Sequence, residues 1–112
     1  MAPTTEHSTE HAGEFISLDL AAEFTAQYRA SYPDGPKAFL FSKSIIRKIL
    51  NQEGTKGLRL YMGIDTESGT NQLQLVAVGV NKKGNDQVDG LLADRSFVCP
   101  PHCSTPNPLN GL

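Results

Sequence analysis

The chain has 112 residues, with 10 Lys and Arg against 12 Asp and Glu for a formal net charge of −2, and its pI is near 5.8. That length supports one domain; polar ends leave roughly 80 residues for a core, near the size where burial is marginal and oligomerisation helps. The mildly acidic balance disfavours an autonomous nucleic-acid binder, and no run approaches the roughly 18 apolar residues of a membrane span.

Residues 1–14 are rich in Thr, Ser, Glu and His and lack apolar periodicity. Such a segment cannot offset its ordering entropy by burial, so a flexible arm is expected. It carries no apolar h-region, which places the chain in the cytoplasm as an expectation and predicts reduced thiols at both cysteines.

From Leu18 the pattern changes: Leu20, Phe24 and Tyr28 recur four apart, with Ala21 and Thr25 beside them and Glu23, Gln27 and Arg29 elsewhere around the cylinder. This predicts an amphipathic helix ending near Tyr32, because Pro33 disfavours helix at the residue before it. Pro33-Asp34-Gly35-Pro36 is a turn. Ala38-Phe39-Leu40-Phe41 is a strand or a buried lead-in to a second helix, for which Ser42 is a good N-cap and Phe41 with Ile46 a hydrophobic staple. Ile45, Ile46, Ile49 and Leu50 form its buried face, and Gly54 is placed to stop it.

The remaining core reads as sheet. Leu58, Leu60, Met62 and Ile64 alternate with Arg59, Tyr61, Gly63 and Asp65, the period of a strand with one apolar face. Residues 67–71 turn the chain into residues 73–80, where Leu73, Leu75 and Ala77 occupy one face and Val76, Val78 and Val80 the other. A strand apolar on both sides is central, or is covered by helices on one side and by the tail or a second subunit on the other. Residues 82–86 form another turn, and residues 88–93 fit a third strand or a short helix.

Both cysteines, His102 and four of the seven prolines crowd into the end of the chain, Cys99-Pro100-Pro101-His102-Cys103 and then Pro106-Asn107-Pro108-Leu109. Three intervening residues, two of them proline, disfavour a C-x-x-C redox site. Cys99, His102 and Cys103 are three soft or borderline ligands in one loop, which His7 and His11 could complete as a zinc site. The preferred reading is structural: free cysteines act as small apolar groups, and prolines lower the entropic cost of docking a tail. A cysteine nucleophile lacks a base aimed at it from elsewhere, and no Gly-x-Ser-x-Gly, His-Glu-x-x-His, P-loop or dinucleotide motif occurs. Residues 65–69 superficially suggest a calcium loop, but its glycine is one place early and Val76 stands where a bidentate glutamate belongs.

Charge is unevenly spread. Up to Pro36 the acids Glu6, Glu10, Glu14, Asp19, Glu23 and Asp34 face only Arg29, whereas Lys37, Lys43, Arg47, Lys48, Lys56 and Arg59 face only Glu53. Lys43 and Arg47 share a helix face and, with Lys48, form a candidate polyanion or nucleic-acid site; the plainer alternative is a solvated face.

Residues 56–65, Leu75-Val76-Ala77-Val78-Gly79-Val80-Asn81, Gly84-Asn85-Asp86, and the Cys-Pro-Pro-x-Cys and Asn-Pro-Leu tail resemble a set of small uncharacterised proteins of Bacteroidetes bacteria. The resemblance spans most of the chain and implies no activity, cofactor or catalytic residue.

The resulting expectation is an α+β fold: two amphipathic helices packed on a small antiparallel sheet built around the hairpin of residues 58–80. The divisions are a flexible arm at 1–14, a domain at 15–98 and a Cys/Pro-rich tail at 99–112. The expected function is a non-enzymatic protein-binding or assembly module whose partner is itself, as a homo-oligomer, or another protein. No cofactor is expected in that reading. A small metal- or cysteine-dependent enzyme and a polyanion binder are the alternatives.

Overall fold

The computed structural model describes residues 8–112. The fold is α+β, and its contacts group into two units, one built on Phe41–Ser96 and joined by residues 8–13, the other made of Glu14–Leu40 with Phe97–Leu112. The expected tail thus shares a unit with the first helix. His7 and the other residues before Ser8 lie outside the described residues.

In the second unit, α1 (Leu18–Ser31) starts where the Ser17 hydroxyl accepts from the Leu20 N–H at 3.1 Å, and it stops at Tyr32, directly before Pro33. Strand β1 (Ala38–Leu40) resolves the ambiguity of that apolar run, because it finds an antiparallel partner close to the other end of the chain, at Phe97–Cys99.

In the first unit, α2 (Lys43–Leu50) is capped by Ser42, whose hydroxyl accepts from the Ile45 N–H at 3.1 Å. It ends well before Gly54. The Gln52 side chain donates to the Ile49 carbonyl at 2.8 Å, which satisfies one of the groups a helix end leaves orphaned. Gly54, at φ +80°, serves instead in the turn that leads into the sheet.

Strands β2 (Thr55–Asp65) and β3 (Gln72–Asn81) form the expected hairpin, in register from Leu58 opposite Gly79 to Asp65 opposite Gln72. Asp65 makes the turn: its Oδ1 accepts from the N–H groups of Glu67 and Ser68 at 3.0 and 3.1 Å. Strand β4 (Leu92–Ala93), within the segment the sequence left open, pairs with Val78 and Ala77, so the order is β2-β3-β4 with β3 in the middle. The β1 partner at Phe97–Cys99 is β5.

The core of this unit gathers at one end of the hairpin. Neighbours Ala77 and Val78 point to opposite faces and are only 0 % and 2 % exposed, so both faces of β3 are covered there, by α2 among others. Ile49 is the helix's buried anchor. A Cβ at Gly79 would lie 2.5 Å from the Gln87 Oε1, so the end of that side chain packs directly against the strand there. Thr9, in a 3-10 turn at Thr9–His11, donates its hydroxyl to the Asn81 carbonyl at 2.6 Å, which ties residues 8–12 of the expected arm to the end of β3.

The tail holds the clearest departure from the sequence reading. Cys99 and Cys103 are joined in a disulfide, so the expectation of reduced thiols does not hold in this structure. The physical reason is local: the turn through Pro100 and Pro101 brings the two Cα atoms to 4.7 Å, within disulfide range. Beyond it, Asn107 and Asn110 close the tail on itself, with Asn110 Oδ1 accepting from the Asn107 N–H at 3.0 Å. Arg29 of α1 then donates to the Leu109 carbonyl at 2.7 Å.

Candidate functional site

Sequence reasoning singled out two groups of residues, and the structure places them apart. Lys43, Arg47 and Lys48 all lie exposed on α2, with Lys43 and Arg47 one turn apart as expected, while Ile49 faces the sheet. In the tail, Cys99 is buried, Cys103 is half-buried, and the His102 ring stacks on Phe97 with centroids 4.9 Å apart. Zinc binding by Cys99, His102 and Cys103 needs thiolates, and two sulfurs bonded to each other offer none until they are reduced. Among the described residues no group of three His, Cys, Asp or Glu side chains converges as metal ligands. His11, the other proposed ligand, sits in the 3-10 turn of the first unit.

The surface that stands out is the outer half of the hairpin. Leu60, Met62 and Ile64 project from one face of β2 and remain 46 %, 70 % and 61 % exposed. Alternation put them on the apolar face, and α2, only eight residues long, packs on the hairpin without burying them. β2 is also an edge strand. Among the described residues, no backbone group of residues 58–64 hydrogen-bonds to anything but β3. Native edge strands are usually guarded by Lys, Pro or a bulge, yet residues 60–65 contain neither residue and the bulge lies farther back, between Thr55 and Gly57.

The opposite face of β2 carries a polar cluster that the sequence reading missed. Asp86, from the turn after β3, accepts from both the Arg59 guanidinium and the Tyr61 hydroxyl. Arg59 also donates to the Gly84 carbonyl at 3.2 Å. The hydrogen bond from Tyr61, and then the bond and charge of Arg59, hold the Asp86 carboxyl below its ordinary range. The same bond to Asp86 pushes the Tyr61 phenol up. Arg59 and Tyr61 alternate on one face, which was visible; that Asp86 folds back on them depends on the Val80 to Asp86 bridge, which was not. The cluster fastens the turn to β2.

A hollow belongs to the disulfide unit. Its volume is about 670 Å³, and its wall includes Leu40, Phe97, Leu109 and both cysteines. A smaller hollow of about 180 Å³ shares Thr25, Lys37 and Leu109 with it and adds Arg29.

No family model matches the chain, and neither the curated proteins nor the solved structures contain a significant match to it. Among the described residues no helix is long and apolar enough to cross a membrane.

Proposed function

We propose that the chain is a non-enzymatic assembly module that associates with a second copy of itself through the outer edge of β2. The observation that carries this reading is the combination on one strand of an unpaired edge and an exposed apolar row, Leu60, Met62 and Ile64. Each feature is a recognised invitation to strand addition. The row is self-complementary. An antiparallel pairing with its two-fold axis at Tyr61 sets Leu60 against the partner's Met62 and Leu58 against the partner's Ile64, so the apolar stripe runs on across the junction. On the other face Arg59 stands opposite the partner's Gly63 and within diagonal reach of the partner's Asp65, so no like charges meet.

Light scattering of the full chain at micromolar concentration tests the proposal. The expected mass is twice the 12.1 kDa of one chain. Met62→Lys, at a largely exposed position, leaves the fold intact and weakens association at least tenfold, about 1.4 kcal/mol. A monomer across the whole micromolar range overturns the reading.

The enzyme alternative is less well supported, since a thiol nucleophile at Cys99 or Cys103 requires that the disulfide first be opened. For compartment, the disulfide favours an oxidising one. Mass analysis after alkylating the thiols of acid-quenched cells tests this: a paired state in the cell supports an oxidising compartment, and two free thiols count against it.

A further inference from the structure

We infer that the hollow of the disulfide unit is a binding site for a small amphipathic carboxylate, with its alkyl chain over Leu40, Phe97 and Leu109 and its carboxylate at Lys37. Three observations carry this. The first is size: about 670 Å³ lies within the range of roughly 300–1,000 Å³ typical of small-molecule sites.

The second is lining. The ribbon face made by Ala38, Leu40, Phe97 and Cys99 is one wall, and Leu40, Phe97 and Leu109 each remain around half exposed although they border a cavity. The polar groups that also border it are mostly committed elsewhere. Asn110 donates to the carbonyls of Ser104 and Thr105 at 3.2 and 3.1 Å, Asn107 Oδ1 accepts from the Leu109 N–H at 2.8 Å, and Thr25 donates to the Ala22 carbonyl at 3.1 Å. His102 is stacked on Phe97. A ligand therefore meets an apolar wall there.

The third is charge. Lys37 borders both this hollow and the adjoining one of about 180 Å³, whose other cation is Arg29, and among the described residues no Asp or Glu side chain lines either. Among the described residues Lys37 makes no ion pair. Arg29 spends one donor on the Leu109 carbonyl, so Lys37 is the cation at the junction. An apolar cavity with an unpaired ammonium at its mouth selects an apolar body that ends in an anion.

The shared chemistry, an alkyl chain with an anionic head, occurs in free fatty acids and in anionic lipid surfaces; the size of the hollow favours the free acid. The test is a titration of the isotope-labelled full chain with decanoate below its micellar concentration, followed by amide chemical shifts. Saturable shifts at residues 37–40, 97–99, 102–103 and 109 are expected, with decyltrimethylammonium binding at least tenfold more weakly. Lys37→Gln should weaken decanoate at least fivefold while leaving decanol unchanged, and Lys37→Arg should restore decanoate binding. Absence of saturable shifts, equal binding of the cation, or Lys37→Gln without effect overturns the proposal. Co-sedimentation with phosphatidylglycerol vesicles in the absence of decanoate binding overturns it in favour of a lipid surface. Because these shifts map to a different unit from β2, they succeed or fail independently of self-association.

Discussion

Opening the Cys99–Cys103 link lowers the stability of its unit by about 2 kcal/mol, and the figure follows from the length of the loop. The cysteines are four apart in sequence, so the closed loop is short. The loop-closure relation then gives about 7 cal/mol/K of entropy removed from the unfolded chain, or about 2 kcal/mol at 25 °C. Pro100 and Pro101 already restrict that loop when it is open, which makes the figure an upper one and sets the expected range at about 1–2 kcal/mol. Cys103→Ala reports the link alone. Cys99→Ala also removes a buried sulfur and should cost about 1 kcal/mol more, comparable to one buried methylene. Urea unfolding in a Tyr61→Phe background isolates the effect, since the remaining tyrosines of the three, Tyr28 and Tyr32, both belong to this unit. Two thiols reacting in denaturant without prior reduction would refute the reasoning at its root. Variants as stable as the wild type would refute the magnitude.

Ile49→Ala empties the position at which α2 is anchored to the sheet and should cost about 2–4 kcal/mol, read as a lowered urea midpoint by circular dichroism. Tyr61 should ionise above the ordinary phenol range when phenolate absorbance is followed with pH. Its raised value means that the Asp86 bond contributes stability below the ordinary phenol range and loses it as pH rises through the folded value; Asp86→Asn should bring the titration back down. The carboxyl of Asp86 has the opposite sign: its lowered value means stability that is present above the ordinary carboxylate range and lost as pH falls through the folded one. On acidification the amide shifts of residues 84–86 should therefore move only below the ordinary carboxylate range. Movement of those shifts near neutral pH would contradict the hydrogen bonds from Tyr61 and Arg59.

Elements governed by local chemistry were legible in the sequence. Ser17 and Ser42 cap helices, Pro33 ends one, and strict alternation over residues 58–65 gave the strand and the face on which Leu60, Met62 and Ile64 stand. Contacts between distant segments were not legible. Nothing near Ala38 announces that its strand partner is Cys99, and this pairing assigns the tail to the unit of α1. Gly54 reads as a helix stop because its conformational freedom is visible in sequence, whereas the bond by which the Gln52 side chain satisfies a carbonyl of the last turn is available to many residues. The disulfide was missed for another reason. The character of the first residues implies reduced thiols, and a spacing of four residues does not itself announce that the proline turn brings the two cysteines within bonding distance. The Lys37 hollow went unseen because its wall joins residues more than fifty apart in sequence, such as Leu40 and Phe97.

Self-association through β2 is tested most directly by an isotope-filtered NOE experiment on an equal mixture of labelled and unlabelled chains. Pairing about Tyr61 requires intermolecular cross-peaks between the Leu60 and Met62 side chains and between those of Leu58 and Ile64. A sample that is dimeric by mass, yet shows its intermolecular cross-peaks only at α2 or in the disulfide unit, would contradict the assignment of β2 as the interface.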